Sequence, residues 1–245
     1  MTMNGYSDGS LQDRSVLVVG RGGGLARAVA LAARDAGAQV TAAGRNQQKL
    51  SEVYADEPGI TAETVDVTDN ASIEELGKRM GTVHHVVSTA GARARGRVED
   101  LDRDALRLSL DTKVLGPLML ARYLAPRMTD GGSFVIFSGV AATKIHAGTL
   151  GVAITNGAAD ILAKSLALEL APIRVNSISP GVIDTEAWDG LGVQGKAAYF
   201  AEMTAANPAR RIGTPDDVAG AVLFAMTSTF LTGTTVHIDG GEPLT

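Results

Sequence analysis

Short β-type runs alternate with longer helical stretches along almost the whole chain, and this alternation restricts the fold more than any other feature. Runs rich in Val and Ile read as strands at 15–19, 39–43, 60–65, 84–88, 133–137, 173–178 and 235–238. Most are apolar on both faces, the pattern of strands covered by helices on each side. Helical patterns fill the intervals. They span 25–36, closed by Gly37 as a C-terminal cap, then 70–80, 104–128, with Pro117 and Pro126 as points of disturbance, and 152–170. Pro215, Asp216 and Asp217 open a last helix, with acids placed where the dipole favours them. Repeated strand–helix units with right-handed crossovers imply a doubly wound α/β fold: a parallel sheet between two layers of helices. No linker, repeat or low-complexity block interrupts the pattern. Residues 11–245 therefore read as one domain and 1–10 as a flexible polar tail.

Composition narrows the partners. The 245 residues include 29 glycines but only 4% aromatics, which suits tight turns and helices packed on a sheet of Val, Ile and Ala. A net charge of −5 argues against a nucleic-acid binder, which needs a basic footprint. With no cysteine, neither a disulfide framework nor a thiolate metal site exists, and no metal is expected. No signal-peptide pattern and no apolar run of roughly 20 residues appear, so a soluble cytoplasmic protein without a membrane partner is expected.

The first strand runs into Gly20-Arg21-Gly22-Gly23-Gly24-Leu25-Ala26 and then a helix. Gly20 permits a sharp turn, and Gly24 removes a side chain where a pyrophosphate would press on the backbone. The helix start points amides at that phosphate. A bare flexible turn is the plainer alternative, and the strand–turn–helix context favours the phosphate site. The second strand ends Ala43-Gly44-Arg45. An NAD site commonly has an acid here, whereas an arginine accommodates a 2′-phosphate. Arg45, with Arg21 in support, therefore favours NADP(H) over NAD(H), unless Arg45 is simply a solvated charge.

These motifs resemble the short-chain dehydrogenase/reductase family, over roughly residues 11–241, and hence a Rossmann-type fold. Gly20, Gly24 and Ala26 match its cofactor loop, and Asp66-Val67 its adenine-holding pair. Ser88-Thr89-Ala90-Gly91 stands where the family has Asn-Asn-Ala-Gly. The segments Ile173 to Asn176, Pro180 to Thr185, Arg211 to Pro215 and Leu231 to Gly241 follow in the family's order. The cofactor set implied is Gly20, Arg21, Gly23, Gly24, Leu25, Arg45, Asp66, Val67, Ala90, Gly91, Asn156, Pro180, Gly181, Ile183 and Thr185.

The resemblance also implies a catalytic set of Asn, Ser, Tyr and Lys. Carried over by motif, those positions hold Lys113, Gly139, Val152 and Asn156. Val has no ionisable proton and Gly no hydroxyl, so the family's usual proton donor is absent. Candidate catalytic residues are Lys113, Ser138 and His146. Lys113 either carries a proton, with its pKa lowered by burial, or merely fills space left by the lost Lys. Thr143, Lys144 and Thr155 lie near the same place. Tyr199 belongs to the substrate loop 186–207 and can swing in, while Trp188 covers the pocket or anchors a partner. Three functions stay open: an oxidoreductase with a non-standard site, a non-catalytic cofactor-binding scaffold, and a non-redox enzyme performing a cyclisation or elimination. The family's dimer helices correspond to 104–128 and 152–170, and its C-terminal segment to a tetramer contact, so a homo-dimer or homo-tetramer is expected.

Overall fold

A computed structural model describes residues 10–245; the expected tail, apart from Ser10, lies outside the described residues. The strands are β1 (Ser15–Val19), β2 (Gln39–Gly44), β3 (Ile60–Thr64), β4 (Val83–Ser88), β5 (Met128–Phe137), β6 (Arg174–Pro180) and β7 (Thr235–Ile238). The helices are α1 (Gly24–Asp35), α2 (Gln47–Val53), α3 (Asn70–Arg79), α4 (Arg103–Leu110), α5 (Gly116–Leu124), α6 (Leu150–Glu169), α7 (Gly192–Ala206) and α8 (Pro215–Thr227).

All seven strands join one parallel sheet in the order β3-β2-β1-β4-β5-β6-β7. Because β1 pairs with both β2 and β4, the chain winds one way to β3 and then restarts on the other side. At such a switch point the connections leave in opposite directions, and a crevice opens beyond the carboxyl ends of β1 and β4. Side chains alternate along β1 as strand geometry requires. Val16 and Val18 join the core beneath α1 and α8 with Val29, Ala33, Val222 and Met226. Leu17 and Val19 face the opposite core with Leu76 of α3, Leu120 and Leu124 of α5, and Leu166 of α6. Small Ala26, Ala30 and Ala33 let α1 lie close on the sheet. Gly37 closes that helix in the left-handed region at φ +97, its amide donating to Arg34 O, as its cap position implies.

The helix expected over 104–128 is a correction. It divides into α4, a π turn at Asp111–Leu115, α5 and a 3₁₀ turn at Ala125–Arg127, and β5 already starts at Met128. Pro117 supplies the reason. A proline has no N–H to give the carbonyl four residues back, here that of Lys113, and its ring crowds that carbonyl. A wider turn, in which Gly116 N–H reaches Asp111 O, relieves the crowding. Two helices were not legible. α2 is capped by Asn46, whose side chain accepts from Lys49 N. α7 occupies most of the expected loop 186–207.

Candidate active site

The glycine loop lies at the carboxyl end of β1, with Gly24 in the left-handed region at φ +48. Position 44 admits no side chain, because a Cβ there would lie 2.5 Å from Gly20 O. The end of β2 therefore presses on the loop, and the first side chain available to a ribose is that of exposed Arg45. Arg45 acts electrostatically on Asp66, whose Oδ1 accepts from Thr68 N at 2.9 Å and Thr68 Oγ1 at 2.7 Å. Burial pushes the Asp66 carboxyl up, but the two Thr68 bonds and the Arg45 charge outweigh it, so its pKa is lowered. At the end of β4, Thr89 N and Oγ1 both donate to Val19 O, at 2.9 and 3.1 Å, which sets Ala90 and Gly91 beside the loop.

Lys113 forms the floor. The π turn presents it toward β5 and α6, where its Nζ donates to Ser138 O at 2.9 Å and to Asn156 Oδ1. Gly91 borders the same chain: a Cβ on it would sit 3.9 Å from Lys113 Cε. Burial, and then the charge of Arg93, push the Lys113 ammonium down to about 8, against the pull of Asp160. Asn156 is buried, and its Nδ2 donates to Gly139 O at 3.1 Å. A Cβ on Gly139 would lie 2.9 Å from that Nδ2, so Gly139 and Asn156 fit one another as they stand. The Asn156 amide is thus engaged within the protein, and the ribose contact expected of it has to compete with Lys113.

The other expected residues separate in space. Ser138 is buried and its hydroxyl donates to Asn156 O at 3.1 Å, tying β5 to α6. His146 is exposed on a turn, where its amide donates to Thr149 Oγ1. Lys144 Nζ donates to Glu242 O and Thr245 Oγ1, holding the C-terminus. Thr143 Oγ1 donates to Val140 O, and Thr155 Oγ1 to Gly151 O. Val152 lies half-buried on α6. Past Pro180 and Gly181, Ile183 is buried and its carbonyl accepts from Trp188 Nε1 at 2.9 Å. Thr185 Oγ1 caps the 3₁₀ turn Glu186–Leu191. Tyr199 packs against Trp188 with ring centroids 4.9 Å apart.

Three contributors were not singled out from the sequence. Glu186 rests against the loop: a Cβ on Gly23 would be 2.5 Å from its Oε1, and one on Gly24 3.1 Å from its Oε2. Arg93 and Arg95 approach Trp188. The basic run Arg93-Ala94-Arg95-Gly96-Arg97 directly after Ala90-Gly91 was the available signal for the arginines. Glu186 had none, because its contact bridges residues far apart in the chain.

A family model described as enoyl-(acyl carrier protein) reductase matches residues 20–242. A short-chain dehydrogenase/reductase, ATR9, from Stachybotrys chlorohalonatus is 32% identical over 95% of this chain and 98% of its own length. The chain belongs to the short-chain dehydrogenase/reductase family. L-xylulose reductase from Mesocricetus auratus is 29% identical over 96% of this chain and 98% of its own. Among solved structures, a small-chain dehydrogenase in complex with NADPH superposes with a TM-score of 0.83 at 28% identity, over 96% of this chain and 100% of its own. MalC reductase/Diels-Alderase from Malbranchea aurantiaca gives 0.89 at 25% identity, over 98% and 100%. Family membership fits the parallel sheet and the switch-point cleft, and a family of oxidoreductases makes a nicotinamide dinucleotide the group to test against these residues. They suit it in part: the loop itself brings no side chain at Gly20, Gly23 and Gly24, and Asp66 and Arg45 stand together at the far end, whereas the Glu186 carboxylate holds the space over Gly23 and Gly24 and has to yield to a diphosphate.

Proposed function

We propose that this chain is an NADP(H)-binding oxidoreductase acting on a carbonyl or alcohol group, with Lys113 carrying the proton that a tyrosine carries elsewhere in the family. The observation that carries this reading is the enclosed Lys113 ammonium, two of whose donors are engaged by Ser138 O and Asn156 Oδ1. An ammonium has three donors and no acceptor, so one proton has no acceptor among the described residues. With a pKa of about 8, that proton is transferable near neutrality.

Relative to the family pattern, the Asn and Lys positions are exchanged: Lys at 113 on the turn before α5, Asn at 156 on α6. The exchange returns an ammonium to the same floor from the opposite side. The loop 20–25 would hold the diphosphate, Arg45 and Arg21 the 2′-phosphate, Asp66 and Val67 the adenine, and the segments 90–91 and 180–185 the nicotinamide end. The bound cofactor supplies the hydride. Lys113 gives its proton to the carbonyl oxygen as that oxygen gains the electron pair of the broken C=O π bond, and the neutral amine regains a proton from solvent. Asn156 and Ser138 O keep the amine on the floor throughout.

A second reading uses the same pocket for a non-redox cyclisation. It is favoured by the likeness to a protein described as a reductase/Diels-Alderase, and by Val152, which offers an apolar wall at the tyrosine position. One series of measurements tests both. Carbonyl compounds are scanned for NADPH consumption at 340 nm with the wild type and Lys113→Met, and NADPH and NADH affinities are measured for the wild type and Arg45→Ala. Reductase activity should fall at least 100-fold in Lys113→Met while NADPH affinity holds, the range expected for loss of a general acid. Arg45→Ala should weaken NADPH about tenfold and leave NADH unchanged. Turnover that survives Lys113→Met removes the assigned role, and cyclised product without NADPH consumption selects the second reading.

A further inference from the structure

Close to Lys113, the segment after Gly91 gathers cations that form no ion pair among the described residues. Arg93 and Arg95 follow Gly91 on one short segment, and their guanidinium carbons lie 5.3 and 5.7 Å from the centroid of Trp188. Among the described residues neither forms an ion pair, nor do Arg21 and Lys113. Arg93 nonetheless lies close enough to interact with each of the other three. Arg93 feels Arg95 and Arg21, and its own charge reaches Lys113. The chain carries 27 acidic residues against 22 lysines and arginines, so carboxylates are plentiful, yet among the described residues none forms an ion pair with this group, and only Asp160 acts on Lys113 from a distance.

Like charges held together without a counter-ion repel each other, and the repulsion is relieved when an anion enters. The group is also ordered in advance. Trp188 is fixed by its indole N–H on Ile183 O and by the Tyr199 ring, and a guanidinium over an aromatic ring keeps its N–H edge available for a planar oxyanion. Lys196, bonded to Asp184 and Asp189, holds the ends of this segment.

We infer that Arg93 and Arg95, held by Trp188, form a binding subsite for an oxyanion group, so that the substrate is a carbonyl or alcohol compound that also bears a carboxylate or phosphate. The inference rests on the reading of Lys113 as the reacting end of the cleft; the acidic group sits toward Trp188 and the reacting carbon toward Lys113. Two forks serve a carboxylate or a phosphate, which share this chemistry.

Trp188 is the one tryptophan of the chain, so its fluorescence reports the subsite directly. The probes are benzoate, phenyl phosphate and the neutral isostere benzamide, titrated into the full chain with and without saturating NADP⁺. At least one anionic probe should perturb Trp188 and bind at least ten times more tightly than benzamide under both conditions; whichever binds more tightly identifies the group. Arg93→Gln/Arg95→Gln should lose that preference while keeping its affinity for NADP⁺. Equal binding of benzamide, preference retained in the double variant, or displacement of the anions by NADP⁺ would each overturn the subsite; displacement would give the cations to the cofactor. Anion binding by a protein that binds no NADP⁺ would leave the subsite standing and remove the cofactor assignment instead.

Discussion

The proton transfer proposed for Lys113 has a signature in pH. Under that role the ammonium form is the active one in the reduction direction. Carbonyl reduction should therefore be level below pH 8 and fall tenfold per unit above about 8, where Lys113 loses its proton. In the oxidation direction the neutral amine is required, so the rate should rise with pH through the same value. Stopped-flow kcat profiles in both directions check this, and Lys113→Arg, which cannot give up its proton in this range, should shift the limbs out of view. A reduction rate level to pH 10 would remove Lys113 from proton transfer. The resemblance singles out positions 113, 139, 152 and 156, and in the structure Lys113, Gly139 and Asn156 meet. Their bonding was not legible in the sequence. That Asn156 spends its amide on Gly139 O and Lys113, and Ser138 its hydroxyl on Asn156 O, follows from a close approach of β5 and α6 that no local pattern encodes.

At the scale of elements, burial helped legibility most in the central strands. β1, β4 and β6 are buried along almost their whole length and were readable. α7 and α2 were not: all of α7 is at least partly exposed, and α2 buries one side chain, so neither prints a clear stripe. A buried exception inside a readable strand has a measurable cost. His85 of β4 is buried with its Nδ1 2.8 Å from Ser133 Oγ, and burial, followed by the charge of Arg174, pushes the imidazole down to about 3. The unfolded chain binds that proton near pH 6.5 and the folded chain does not, so stability present above 6.5 is lost as pH falls toward 3. Between pH 7 and 5 the His85 contribution should fall by about 2 kcal/mol. Urea unfolding at the two values checks it, with His85→Gln expected to flatten the dependence. The turn bearing Glu186 makes the opposite kind of claim, about binding. A carboxylate against Gly23 and Gly24 repels an arriving diphosphate, so Glu186→Gln should tighten NADPH by up to about fivefold at low salt, and less at high salt. Calorimetry at two ionic strengths decides, and an unchanged affinity at low salt sinks the repulsion argument.

For the whole molecule, the surface says more than the core. Ile154, Ile161 and Leu168 are exposed at seven-residue intervals along α6, Leu168 at 84%, and Leu108 and Leu115 are also exposed on the segment from α4 into the π turn. Residues seven apart on an α-helix share a face, so the three α6 side chains make an apolar seam that a monomer would leave in water. The resemblance implies dimer helices over 104–128 and 152–170, which carry these side chains. Phe230, fully exposed, and Leu244 lie apart from α6 in the chain, on the C-terminal segment for which the resemblance implies a further contact. We expect light scattering to give at least a dimer. Ile154→Glu/Ile161→Glu should yield monomers, since burying two carboxylates without partners costs more than a seam of this kind supplies. Phe230→Glu should at most reduce a tetramer to a dimer. Because Ile154 stands between Val152 and Asn156 on α6, the monomeric variant should also lose turnover beyond any loss in NADPH affinity, while Phe230→Glu should not. A wild type that scatters as a monomer would make the seam an ordinary surface; a monomeric double variant with full turnover would show that the floor holds its shape without the partner.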